Sequence, residues 1–146
     1  MIRDIKQDFL TPEVYAIYSL CMYAPTFERF AEKAHVYMAA ENTDIYGFFV
    51  EDRLLGVIVL RHSIPNCPEI IGIAVDRSYQ HRHIGRRLVE YAAARNPRAE
   101  LCAETDDDAV RFYEHCGFRS EEFYTAYNQV PCKRYRCVYP CHSRTF

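Results

Sequence analysis

Glycine and proline are scarce in this chain, at five and seven of 146 residues, and no segment repeats or falls into low complexity. That scarcity excludes collagen-like and intrinsically disordered classes. No apolar run approaches the length of a membrane span, and the opening MIRDIKQDFL carries Arg3, Asp4, Lys6 and Asp8 where a signal peptide needs a continuous apolar segment. An excess of either charge is also missing. The formal net charge is −2, so no global field draws the chain onto nucleic acid or an acidic membrane. The seven cysteines are odd in number and contain no Cys-x-x-Cys pair, which suits free thiols in a reducing compartment better than a disulfide framework. These absences predict a cytoplasmic protein without a nucleic-acid or membrane partner, and the length suits a single domain over residues 1–146.

One cluster, Cys132, Cys137, Cys141 and His142, has atom types that zinc accepts. Its members lie in an apparent strand and tail, without the close pairs on tight turns that structural zinc sites use, so buried or edge thiols and no metal are expected. A zinc-stabilised interaction domain is the reading this sets aside.

What the sequence does contain is an alternation of helical and strand patterns. Thr11-Pro12-Glu13 gives a hydroxyl cap, a proline at the first helical position and an acid facing the dipole, ahead of Val14, Ile17, Tyr18 and Cys21 at helical spacing. A second apolar stripe follows Pro25-Thr26 through Phe27, Phe30, Ala31, Ala34 and Met38. Residues 45–50 and 54–60 are strand-like and joined by a connection short enough to require a hairpin. EIIGIAV (69–75) is apolar on both alternations, as a central strand covered on two faces would be. Ile84, Leu88, Tyr91 and Ala92 trace a helix ended by Asn96-Pro97, and LCAET (101–105) is a short strand. Thr105 is placed to cap a helix beginning at Asp106–Asp108, with Ala109, Phe112, Tyr113 and Cys116 on one face and Gly117 at its stop. Strands over 118–127 and 133–139 complete the order β-α-α-β-β-β-α-β-α-β-β. The fold class is therefore α/β, with a mixed sheet of six to seven strands and helices on both faces.

The informative stretch is 69–87, EIIGIAVDRSYQHRHIGRR, where a strand runs through a basic turn into a helix. Free N–H groups at a helix start favour an anion, Arg77, Arg82, Arg86 and Arg87 add charge, and Gly85 lets the backbone approach a bound group. A pyrophosphate suits such a turn. Residues Gln80, His81, Arg82, His83, Ile84 and Gly85 resemble the Gln/Arg-x-x-Gly-x-Gly/Ala motif of the GNAT N-acetyltransferases, with His83 where the family has its first glycine. If position 83 needs a positive φ, a side chain there costs about 1–2 kcal/mol. A second segment, ETDDDAVRFYEHCGF, is similar to the family's Asn-x-x-Ala-x-x-hydrophobic-Tyr-x-x-x-Gly-Phe, with Asp106 at the Asn position. Element order extends the resemblance over nearly the whole chain.

The resemblance implies direct transfer of an acetyl group from acetyl-CoA to a primary amine of a small molecule or peptide, without a metal. It implies that Gln80 through Arg86 and Asp106 meet the cosubstrate, that backbone groups of Ile73 and Val75 bond its arm, and that the Ile73 N–H faces the developing oxyanion. By the same resemblance Tyr113 is the general acid and Glu69 the general base, with Glu104 a competing base. Period-two alternation would put Glu69, Ile71, Ile73 and Val75 on one face. Cys102 and Cys116 are read as core residues near the cleft. A catalytically weak acyl-CoA-binding or regulatory module is the alternative, and homodimerisation and the acceptor's identity are left open.

Overall fold

The computed structural model describes residues 1–141. Its elements run β1 (Ile2–Asp4), α1 (Pro12–Tyr18), α2 (Phe27–Ala39), β2 (Thr43–Val50), β3 (Arg53–Arg61), β4 (Glu69–Val75), α3 (Ile84–Arg95), β5 (Leu101–Thr105), α4 (Val110–His115), β6 (Arg119–Tyr127) and β7 (Val130–Tyr139). The strands form one mixed sheet ordered β1-β2-β3-β4-β5-β7-β6, antiparallel except where β4 lies beside β5. This is the α/β architecture and element order expected from the sequence.

Helices α1 and α2 cover one face of β2–β4. Thr11 Oγ1 accepts from the Val14 N–H at 3.2 Å, so the predicted hydroxyl cap forms, and Thr26 Oγ1 caps α2 in the same way, accepting from the Arg29 N–H at 3.1 Å. Their buried sides meet in an aromatic cluster, where the Phe30 ring lies 5.1 Å from Phe9 and 5.3 Å from Tyr15, and Tyr18 stands edge-on to Phe9. Phe30 is wholly buried, and truncating such a ring costs about 3–5 kcal/mol. Helices α3 and α4 cover the other face, with Leu88, Val89 and Ala92 packed into a core shared with Leu55, Ile58, Leu60 and Leu101.

Three local features depart from the expectations. Leu60 pairs with Ile70 but Val59 pairs with Gly72, so Ile71 is an extra residue, a β-bulge. The bulge breaks the predicted alternation. Ile73 and Val75 join Ile70 on the α3/α4 side, whereas Ile71 and Ala74 pack on the α1/α2 side. Thr105 stays in β5 and does not cap α4, whose N-cap position is Ala109 with no side-chain cap. Asp106 Oδ1 accepts from the N–H groups of Asp108 and Ala109, which delays the helix to Val110. Finally, β7 starts at Val130 instead of Lys133, because Asn128 and Gln129 both take positive φ, 51° and 65°, and close a two-residue turn. Pro131 is tolerated there because β5 pairs only with Tyr135–Tyr139.

Gly72, on the α1/α2 side of β4, has no room for a side chain: a methyl built on it would overlap the Tyr18 hydroxyl. Gly72→Ala is expected to lose about 1–3 kcal/mol in chemical denaturation, with part of the loss returned when Tyr18→Phe removes the obstructing oxygen. An unchanged midpoint would show that Tyr18 does not seat against β4.

Candidate active site

β4 and β5 are parallel yet share one paired position, Glu69 opposite Cys102, just past a bond from the Cys102 N–H to the Pro68 carbonyl at 3.0 Å. Beyond it the strands part. Residues 71–75 and 103–105 then face each other across a gap in mid-sheet, and the backbone groups lining it have no ladder partner there. The bulge at Ile71 falls just past the last pairing, where added twist turns β4 away.

At the wide end of the gap β4 enters the basic turn. Asp76 Oδ1 accepts from the Ser78 N–H at 2.9 Å, and Gln80 donates from Nε2 to the Val75 carbonyl at 3.2 Å, tying the turn to the strand end. His81 and His83 then adopt left-handed backbone, with φ of 65° and 64°. The positive φ expected at position 83 is present, and a side chain is carried there at roughly 1–2 kcal/mol. No side chain caps α3, and its first intrahelical bond runs from the Arg87 N–H to the His83 carbonyl. The N–H groups of Ile84, Gly85 and Arg86 precede that bond. Arg77, Arg82 and Arg86 are exposed around this start, with Arg82 lying over the Tyr79 ring at 5.3 Å. Gly85 has a packing reason as well: a Cβ there would stand 2.7 Å from the Phe112 ring, so the glycine lets α3 close on α4.

Tyr113 projects from α4 between Phe112 and Phe118, with ring centroids at 5.2 and 5.1 Å, and is nearly fully buried. Burial pushes its phenol well above the ordinary value, and the thiols of Cys137, Cys21 and Cys116 add to the rise. Cys21 belongs to the opposite layer, in a short helical turn after α1, so the gap is where the two layers sense each other. The sequence placed Cys21 on a buried stripe, but the turn swings it out. The residue is exposed as a whole, but its sulfur donates to the Tyr18 carbonyl at 3.3 Å in a part-buried contact, and desolvation there raises its pKa to about 11. The Asp76 N–H donates to the Leu55 carbonyl at 2.8 Å, and alternation of hydrogen-bonded and non-hydrogen-bonded pairs along β3 and β4 then turns the Ile73 N–H away from β3 and into the gap. Asp106 stands at the end of β5, with its Oδ1 committed to the α4 turn.

Glu69 lies at the closed end of the gap on the α1/α2 side, and its Oε1 accepts from Arg61 Nη2 at 2.8 Å. Leu101, Ala103 and Cys137 belong to the α3/α4 core, so alternation turns Cys102, Glu104 and Arg136 to the same side as Glu69. Glu104 pairs with Arg136 at 3.4 Å. Cys102 is only half-buried. Burial lifts its thiol to about 12, with Cys67, Glu69 and Arg136 among its neighbours, so it lines this face and is not a core residue. Cys116, by contrast, is buried as expected. Arg61, Arg136 and Cys21 were not singled out as site residues from the sequence, since each lies in a pattern that ordinary packing or surface charge explains.

Cys132 is exposed, Cys137 is in the core and Cys141 donates to the Pro97 carbonyl at 3.3 Å, while His142 lies outside the described residues. Among the described residues no group of three or more His, Cys, Asp or Glu side chains could hold a metal ion, and no helix is long and apolar enough to cross a membrane. A hollow of about 620 Å³ under the β2–β3 turn, lined by Glu13, Asp52, Arg53 and Asp76 among others, includes none of the residues of the gap.

Because thiolate is the reactive form, alkylation of Cys21 by iodoacetamide is expected to be slow at pH 7.5 and to accelerate about tenfold per pH unit toward its pKa near 11, followed by peptide mass spectrometry. Rapid, pH-independent labelling at pH 7–9 would contradict the desolvated cleft position.

Residues 7–118 match the sequence profile described as the Acetyltransferase (GNAT) family. No curated protein matches the chain. Among solved structures, aminoglycoside 6′-acetyltransferase type Ii superposes with a TM-score of 0.77 at 19% identity, covering 94% of this chain and 95% of that one. The ribosomal-protein-S18-alanine N-acetyltransferase of Escherichia coli gives 0.72 at 19% identity, over 96% and 92% of the two chains. A Bacillus subtilis acetyltransferase in complex with CoA gives 0.65 at 24% identity, over 88% and 91%. At these identities the structural likeness speaks for the fold, and the profile match over most of the sequence settles the family: the chain belongs to the GNAT acetyltransferases.

Proposed function

We propose that this protein is an acetyl-CoA-dependent N-acetyltransferase that moves the acetyl group directly to a primary amine of a small molecule or peptide. The observation that carries the reading is the parting of β4 and β5 after one pairing, with the gap leading to the uncapped start of α3. The residues present fit acetyl-CoA. N–H groups of Ile84, Gly85 and Arg86, with Arg77, Arg82 and Arg86, would hold its diphosphate, while Gln80, His81 and His83 shape the turn. The backbone of Ile73 and Val75 offers a strand edge to the amide-bearing arm, and Asp106 fixes the turn on the other side. When bound, acetyl-CoA supplies an activated thioester carbonyl.

The protein's part is positioning and proton management. The Ile73 N–H, turned away from its β3 partner and toward the gap, would donate to the thioester carbonyl oxygen. Glu69 would accept the acceptor's ammonium proton, directly or through water. Arg61 holds its Oε1 and leaves Oε2 available. Glu104 is the competing base, more exposed and paired more loosely. Tyr113 keeps its proton at any neutral pH. Since a free thiol has a pKa near ~8.5, complete transfer from so weak an acid is uphill, and Tyr113 would act mainly by donating a hydrogen bond to the departing sulfur. The seven unbridged thiols suit a reducing, cytoplasmic setting.

Calorimetry with acetyl-CoA and thiol-release assays over an amine panel separate this reading from a catalytically weak acyl-CoA-binding module, which would bind without turnover. For Glu69→Gln, turnover should fall about 100-fold or more at pH 7 and recover partly at alkaline pH, where the amine no longer depends on the enzyme for deprotonation. An unchanged pH–rate profile removes Glu69 from the mechanism. Tyr113→Phe should slow turnover about tenfold or more with acetyl-CoA affinity nearly intact, and equal losses in both would mean packing alone.

A further inference from the structure

The face of the sheet that carries Glu69 and Glu104 continues across β7 and β6, and the α1/α2 layer packs chiefly on β2–β4. The exposed row across it is charged in both signs. Register pairs Arg61 with Glu69, Glu69 with Cys102, Glu104 with Arg136, and Arg136 with Glu121. Each carboxylate nearest the gap already has an arginine, with Glu69 held at 2.8 Å and Glu104 at 3.4 Å. Further cation is close by. Arg134 lies on the same side of β7 by alternation, and Lys33 of α2 is near enough to lower the Cys21 thiol's pKa. Among the described residues neither Arg134 nor Lys33 has a carboxylate within 4.0 Å.

A groove built to take a polycation would present unpaired acids at the gap, and here both acids at the gap are held by arginines, while Glu121, which has no cation within 4.0 Å among the described residues, stands farther out on β6. A plain amine entering here must draw a carboxylate away from an arginine and leave that guanidinium without a partner. An acceptor carrying both an ammonium and a carboxylate avoids the loss, since its ammonium takes the glutamate and its carboxylate takes the arginine. Arg136 is the residue best set for that exchange. Its contact with Glu104 is long and involves one nitrogen, Nη2, and its guanidinium lies over the Phe123 ring at 5.3 Å, which orients the remaining N–H donors. A planar fork of this kind matches a carboxylate in two parallel hydrogen bonds.

We infer that Arg136, seated on Phe123, binds a carboxylate of the acceptor, so that the acceptor is a carboxylate-bearing amine of the amino-acid or peptide class rather than a polyamine. This rests on the acetyltransferase reading above and narrows it. Arg61 keeps Glu69 in place at the amine end, and Arg134 and Lys33 add attraction for the anionic end.

The test compares carboxylated acceptors with their decarboxylated counterparts, lysine against cadaverine and tyrosine against tyramine, together with a dipeptide and spermidine, by thiol release under saturating acetyl-CoA. Carboxylated acceptors should exceed their counterparts in kcat/KM by about ten- to a hundredfold, the worth of one charge-assisted contact. Arg136→Gln should raise KM for the carboxylated set by the same factor with kcat nearly kept, without weakening the decarboxylated set, for which Glu104 is then freed from its arginine, and Arg136→Lys should recover part of the loss. Preference for cadaverine, tyramine or spermidine overturns the inference while leaving the acetyltransferase reading intact, as does an Arg136→Gln variant that weakens both sets equally. Acetyl-CoA binding without thiol release from any acceptor overturns both.

Discussion

One backbone pairing, Glu69 with Cys102, holds the two halves of the sheet together on the line where the chemistry would occur. Parallel neighbours normally zip along their length, because each unpaired N–H or carbonyl in a sheet interior is costly. Here the zip is stopped after its first step. The extra residue at Ile71 twists β4 outward, and Tyr113 of α4 packs between the Phe112 and Phe118 rings on the α3/α4 side of the sheet. Outer pairings to β3 and β7 keep each strand straight while the inner edges stay open. The result is a pair of strand edges inside a sheet, sheltered from edge-to-edge association and able to receive an amide-bearing chain from outside.

That gap also divides labour between the two layers. From the α3/α4 side come the basic turn and the Tyr113 phenol. From the α1/α2 side come Cys21, Tyr18 and the ion-paired carboxylates. Tyr18 reaches β4 only because Gly72 carries no side chain, so one glycine sets how close the upper layer can approach that strand. Gly85 does the same for α3 and α4 on the other face, where the Phe112 ring occupies the place a Cβ would need. Both glycines act through packing, and the left-handed backbone of the turn is borne by His81 and His83 instead.

The fold was largely legible in the sequence because its signals are local. Thr11-Pro12 and Thr26 announce their helices, β4 and β5 have the predicted bounds, and Gly117 takes the φ of 101° that a helix stop requires. What escaped depends on pairing rather than pattern. A β-bulge leaves no mark in a run as uniformly apolar as EIIGIAV, so the faces of Ile71, Ile73 and Val75 could not be assigned by alternation. Asn128-Gln129 lacks the glycine that usually signals a tight hairpin, which hid the start of β7. Cys21 keeps helical spacing with Tyr18 but sits past the end of α1, where the chain tightens and turns its sulfur into the cleft. The arginine partners of Glu69 and Glu104 come from other strands, a relation visible only once register is known.

The most direct test of the central claim is the backbone amide spectrum of the labelled protein titrated with CoA, which reads the N–H groups themselves. The account predicts large shifts and slowed hydrogen exchange at Ile73, Val75, Ile84, Gly85 and Arg86, with β1 and β2 undisturbed. Titration that leaves those amides unmoved, or that shifts only surface residues outside the β4–β5 gap, would contradict it.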